Sequence, residues 1–164
     1  MFQANAILNQ LREKVKKSFH KNEAETLATD GMDIALCMYD INTKKLQFSG
    51  ANNALYVVRG KELFEFQPDK MPIGVSVNDV ESFSNIEFQL KKDDVIYLFS
   101  DGYADQFGGT KDKKFMLWRF KKMLTTLNNV SLLQQKEKLL DEHYKWRGKT
   151  LQVDDILIMG IKIS

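Results

Sequence analysis

The sequence predicts an α+β fold, and three observations carry the prediction. Short runs rich in β-branched and aromatic residues alternate with turn residues through the middle of the chain. The spacing of apolar residues switches to a helical period after Gly102. A near-continuous apolar run over 156–163 then closes the chain as one late strand.

The 164 residues amount to one domain's worth of chain, with 43% hydrophobic residues for a core and 28% charged residues for a soluble surface. A net charge of +2 gives no electrostatic support for nucleic-acid binding. The single cysteine, Cys37, lies within Ile34-Ala35-Leu36-Cys37-Met38 and reads as a small buried hydrophobe rather than a nucleophile. One cysteine forms no internal disulfide, which fits a reducing cytoplasm. No apolar run approaches membrane-spanning length, and no signal peptide is visible.

The elements follow in order. A helix is predicted over 4–19, with Ile7, Leu8, Leu11, Val15 and Phe19 on one face and Arg12, Lys14 and Lys17 on the other. Its basic face is compatible with a membrane surface, but the apolar stripe is moderate and favours packing on a sheet. Residues 21–29 read as a polar loop. A strand over 32–39, a turn over 40–43 and a returning strand over 45–49 form a hairpin. Gly50-Ala51-Asn52-Asn53 interrupts it. Strands over 55–59 and 63–66 follow, joined at Gly60-Lys61, with Glu65 pointing outward. Residues 68–74 read as a loop, 82–90 as a strand and 91–94 as a charged turn. Val95-Ile96-Tyr97-Leu98-Phe99 is a buried strand that stops at Asp101-Gly102. Residues 108–112 read as a mobile loop, and 115–127 have helical spacing. Ser131-Leu132-Leu133-Gln134 fits a capping box for a helix running to about Trp146, with Gly148 as its stop.

Carboxylates mark the chemistry. One buried strand ends on Asp101, and Asp154-Asp155 precedes another. If the two strands are antiparallel neighbours, Asp101 and Asp154 share one sheet edge. Clustered carboxylates repel unless a cation neutralises them, and Mg²⁺ or Mn²⁺ favours such oxygen donors. Two such ions can clamp a phosphate and generate hydroxide for in-line attack. Taken alone, Asp101-Gly102 and Asp154-Asp155 are equally ordinary turn and loop-tip sequences. His20, at a helix end, and His143, within a charged helix, read as solvated or capping side chains. Neither has a zinc-type or triad-type setting.

Five stretches follow in order: Asp30-Gly31-Met32-Asp33-Ile34-Ala35-Leu36, Phe48-Ser49-Gly50-Ala51-Asn52-Asn53-Ala54-Leu55-Tyr56, Met71-Pro72-Ile73-Gly74, Leu98-Phe99-Ser100-Asp101-Gly102-Tyr103-Ala104-Asp105-Gln106-Phe107-Gly108-Gly109 and Gln152-Val153-Asp154-Asp155-Ile156-Leu157. Together they resemble the metal-dependent protein phosphatase (type 2C) superfamily, in its stage II sporulation protein E branch. The resemblance implies an antiparallel β-sandwich flanked by helices, with a two-ion Mn²⁺ or Mg²⁺ site at one end. It puts metal ligands at Asp101 and Asp154, which are also the catalytic pair, and adds Asp155, in the second place of the late pair, as a further metal-site residue. The ions would activate water to hydrolyse a phosphoserine or phosphothreonine ester. The implied substrate is a phosphorylated protein of the anti-sigma-factor antagonist type.

The family pattern also includes an upstream strand and an Asp-x-x-Gly-His-Gly-like loop that bridges both metals, and nothing in this sequence resembles it. Residues 1–164 are therefore expected to form a single, N-terminally incomplete phosphatase-like domain. On this reading the parent protein is the enzyme and carries sensory or membrane segments of its own. The chain alone has little or no activity, binds metal weakly or not at all, and self-associates through an uncovered sheet. The competing reading is a non-catalytic, pseudophosphatase-like interaction module.

Overall fold

A computed structural model describes residues 3–19, 31–75 and 82–164. The chain runs α1 (Ala4–Phe19), β1 (Gly31–Met32), β2 (Ile34–Asp40), β3 (Lys45–Ala51), β4 (Leu55–Arg59), β5 (Glu62–Phe66), β6 (Ile73–Gly74) and β7 (Ile86–Gln89). It continues through β8 (Val95–Phe99), α2 (Gly102–Asp105), β9 (Phe107–Gly108), β10 (Lys113–Lys114), α3 (Leu117–Leu127), α4 (Leu132–Arg147) and β11 (Ile158–Lys162). Antiparallel pairing with helices bears out the α+β expectation. Two compact units result, Met1–Leu55 with Phe66–Leu90, and Tyr56–Glu65 with Lys91–Ser164. The predicted loop over 21–29 and His20 lie outside the described residues.

In the first unit β2, β3 and β7 form an antiparallel sheet, with β2 and β3 in register from Ile34↔Ala51 to Asp40↔Lys45. The turn closes because the Asp40 carboxylate accepts the Asn42 and Thr43 N–H groups at 2.8 and 3.1 Å. This short side chain satisfies two donors that the turn leaves open. Helix α1 buries Leu8 against Ala51, Met71, Ile73 and Phe83, flanked by Leu11 and Val15. Arg12 departs from its predicted solvent face: it is only 4% exposed, and its guanidinium lies 5.9 Å over the Phe83 ring. The aliphatic stem and the cation–π contact let an arginine occupy the i+4 position above Leu8.

Two expectations in this unit are corrected. The strand over 32–39 is broken at Asp33, and the supposed loop over 68–74 ends in a strand. Gly31 and Met32 pair with Gly74 and Ile73, so two of the five family-like stretches are hydrogen-bonded partners. A third, Gly50-Ala51-Asn52-Asn53, continues β3 through Ala51 before it turns. A Cβ at Gly50 would stand 2.5 Å from the Asn53 carbonyl oxygen and 2.8 Å from Pro68. Asn52 adopts φ 57° there, and its amide donates to Asp33 Oδ1 at 2.8 Å.

The second unit carries a four-stranded sheet in the order β11-β8-β4-β5. Phe99 stacks on Tyr56 at 4.6 Å and on Phe120 of α3 at 5.1 Å, and Phe120 meets Tyr103 at 5.2 Å. Glu65 is half-buried rather than outward-pointing. It accepts hydrogen bonds from the Tyr56 hydroxyl and from Lys121 Nζ on α3, at 3.2 and 2.7 Å. The Ser131 capping box is present, and Gly148 ends α4 at φ 55°. The predicted mobile loop over 108–112 is instead the tip of a β9–β10 hairpin. That hairpin is held to α4, where the Gly109 N–H donates to the Trp146 carbonyl at 2.8 Å. Cys37 in β2 is half-buried, and burial pushes its thiol up to about 12, which leaves no thiolate at neutral pH.

His143 is not a solvated side chain. It is buried on α4 with its ring 5.6 Å from Tyr103. Burial, reinforced by Arg147, holds its imidazole below the ordinary histidine range. The unfolded chain therefore takes up this proton first as pH falls. The contribution of His143 to stability is intact above about pH 6.5 and declines below it. We expect the melting temperature to fall between pH 7 and pH 5, and His143→Gln to flatten that slope in parallel thermal melts.

Asp94 is fully buried and accepts Arg59 Nε and Nη2 at 2.8 and 2.6 Å and the Lys91 N–H at 2.8 Å. Removing a carboxylate that neutralises a partly buried guanidinium strands that charge. Asp94→Ala is expected to cost about 3 kcal/mol in urea unfolding.

Candidate metal-binding strand end

The site grows from the pairing of β8 with β11. Their register runs from Val95↔Lys162 to Phe99↔Ile158. This is the antiparallel adjacency on which the reading of Asp101 and Asp154 depended. Beyond the last pair the two chains stay tied. The Ser100 N–H donates to the Leu157 carbonyl at 3.0 Å. Ser100 Oγ accepts the Leu157 N–H at 2.9 Å and donates to the Asp155 carbonyl at 2.9 Å. One serine thus fixes both the end of β8 and the loop that enters β11.

Asp101 follows at the exposed end of β8 and precedes the short helix α2, where its carboxylate makes no capping bond. Gly102 is buried against the opposite loop. A Cβ there would lie 2.4 Å from the Asp155 carbonyl oxygen and 3.3 Å from the Asp154 Cβ. The glycine is required by this close approach, which brings the Asp154 side chain beside the Asp101-Gly102 backbone. Asp154 Oδ1 accepts the Asp155 N–H at 2.7 Å, and Gln152 Nε2 donates to the Asp154 carbonyl at 2.8 Å. Asp154 and Asp155 are both exposed.

The structure thus brings Asp101, Asp154 and Asp155 to one strand end. The donors are hard oxygens, which suit Mg²⁺ or Mn²⁺ in kind. Among the described residues no three His, Cys, Asp or Glu side chains group closely enough to hold an ion. The fit is that of a partial donor set. A cavity of about 680 Å³ lies beside the site, between α4 and the β8–β11 pair. Its walls include Tyr97, Leu139, His143 and Ile158, and it reaches Gln152 and Ile156 on either side of the acidic pair. No carboxylate is among its lining residues. The sequence reading missed it, since it needs His143 and Leu139 turned inward from a helix that reads as charged. The role of Ser100 was also missed, although its place between Phe99 and Asp101 in the quoted stretch was the available signal.

The α+β fold, antiparallel sheets with helices, is that of type 2C protein phosphatase domains. The chain belongs to the stage II sporulation protein E (SpoIIE) family, whose family model matches residues 2–164. It is similar to the PP2C domain of SiaA from Pseudomonas aeruginosa, at 29% identity and a TM-score of 0.86 over 99% of this chain and 61% of that one. The phosphatase domain of SpoIIE from Bacillus subtilis shares the fold at 16% identity and a TM-score of 0.61, over 99% of this chain and 75% of that one. So does the serine/threonine phosphatase PstP/Ppp of Mycobacterium tuberculosis, at 13% identity and 0.57, over 95% and 67%. The chain thus spans less than two thirds of the SiaA domain. No curated protein matches it. No helix among the described residues is long and apolar enough to cross a membrane.

Two substitutions test the geometry. Gly102→Ala forces a backbone oxygen to move and is expected to cost about 1–3 kcal/mol. Ser100→Ala removes both a donor and an acceptor and is expected to cost about 1–2 kcal/mol. Both are read by urea unfolding, and unchanged midpoints would contradict the close approach.

Proposed function

We propose that this chain carries part of the metal site of a protein serine/threonine phosphatase. Asp101 and Asp154 are ligands to Mn²⁺ or Mg²⁺, and Asp155 is an auxiliary carboxylate. The observation that supports this reading is the β8–β11 register, which sets Asp101 beside the Asp154–Asp155 loop within the SpoIIE family fold. A divalent ion there supplies electrostatic stabilisation of a phosphoryl group and an activated water. The residues of this chain hold that charge rigidly: Ser100 pins the loop, and Gly102 permits the approach. The substrate class is a phosphoserine or phosphothreonine protein of the anti-sigma-factor antagonist type, acted on in the cytoplasm.

One observation favours a second reading, a non-catalytic interaction module. Among the described residues the acidic groups do not complete a three-ligand cluster. Phosphate release from a phosphoserine peptide separates the two. The phosphatase reading expects slow, Mn²⁺-dependent release that Asp101→Asn and Asp154→Asn each abolish. Release that persists in EDTA, or survives both substitutions, contradicts it. No release at all from the native chain favours the module.

Self-association belongs to the same proposal. Among the described strands β11 lies at a sheet edge, with Met159 and Ile161 exposed. Its one edge lysine, Lys162, is paired with Asp93 at 3.0 Å. Little on this edge repels a second strand. Light scattering is expected to give a mass above that of the monomer, and Ile161→Lys to restore the monomer.

A further inference from the structure

Away from the acidic strand end, α3 and α4 enclose a groove of about 360 Å³ lined by Phe115, Trp118, Arg119, Lys122, Leu127 and Glu142. Trp118 is 58% exposed, a large apolar surface to leave in water. Arg119 is the unusual group. Its guanidinium lies 4.6 Å over the Trp146 ring, 5.1 Å over Trp118 and 6.0 Å over Phe115. Three rings fix the cation, yet among the described residues no carboxylate neutralises it and no acceptor takes its side-chain N–H groups. A guanidinium stacked on aromatic faces keeps its fork of donors free for a planar anion.

The surroundings have the same sign. Lys122 lines the groove, and the β9–β10 hairpin that leads directly into Phe115 carries Lys111 and Lys113. None of these three has a carboxylate partner among the described residues. Lys114 and Lys121, by contrast, are spoken for by Asp105 and Glu65. Glu142 is the acid that lines the groove, and the neighbouring Asp141 is tied to Lys145. Two unpaired cations in the lining, Arg119 and Lys122, against one acid, Glu142, leave the groove net positive beside its apolar side chains.

We propose that this groove docks an acidic protein segment bearing an apolar side chain. A carboxylate of the segment meets Arg119, and the apolar residue packs against Trp118. This binding needs no metal and does not rest on the phosphatase reading.

The two tryptophans of the chain both flank Arg119, so tryptophan emission reports on the surroundings of that side chain. The probe is a twelve-residue, glutamate-rich peptide with one central Phe, titrated in EDTA. A saturable change in emission is expected, weakening with added salt. Lys122→Glu and Arg119→Glu are each expected to weaken binding by about tenfold. Trp118→Ala weakens it as well, with Trp146 as the remaining reporter. Should Arg119→Glu fail to fold, the exposed Lys122→Glu and Trp118→Ala decide. The proposal is overturned by a lysine-rich peptide that binds equally well. Absence of a saturable change overturns it too, as does undiminished affinity in Lys122→Glu. Equal binding of a glutamate-rich peptide without Phe contradicts the groove as its seat. Because the titration contains no metal and measures no hydrolysis, its failure leaves the phosphate-release assay unaffected.

Discussion

The hydrogen bonds of Ser100 are the constraint on which the candidate site depends. Its backbone N–H and its hydroxyl reach across to Leu157 and Asp155, so the end of β8 and the loop before β11 behave as one piece. The β8–β11 ladder brings the two chains together, but a ladder alone leaves the residues beyond its last pair free to diverge. Ser100 closes that gap, and Gly102 allows the loop to come within contact of the following backbone. Carboxylates on two flexible loops would drift apart under mutual repulsion. Here they are held on a rigid frame of strand and buried aromatic rings, with Phe99 and Tyr103 on either side of the exposed Asp101.

The same logic explains why several family-like stretches carry no obvious chemistry. Gly31 pairs with Gly74, and Gly50 lies against Asn53 and Pro68. Gly108 faces the Trp146 carbonyl, which a Cβ would meet at 2.0 Å. A Cβ would meet the Pro72 side chain at Gly31 and a backbone oxygen at Gly50 and Gly108, too closely in each case. Such glycines preserve the packing of the unit in which each lies.

Legibility in the sequence followed the range of the interaction. The α1 helix, the β2–β3 hairpin and the Ser131 cap rest on local spacing or on contacts a few residues apart, and all could be read directly. The adjacency of Asp101 and Asp154 was legible because a buried run ending on a carboxylate and another beginning after one imply antiparallel neighbours. What stayed hidden depends on distant partners. The β1–β6 pairing joins residues more than forty positions apart. Arg12 turns inward because Phe83 offers it an aromatic face, and His143 is buried because Tyr103 packs beside it. A polar residue on a helix carries no local sign of such a partner. Residues 108–112 looked mobile for the same reason: their anchor, Trp146, lies at the far end of α4.

On the proposed reading, β8–β11 pairing makes Asp101 and Asp154 a joint seat for one divalent ion. An anomalous difference map from crystals soaked in Mn²⁺ tests it most directly. A peak is expected between the two carboxylates, and it disappears in Asp101→Asn. Manganese bound elsewhere, or no peak at that strand end, would contradict it.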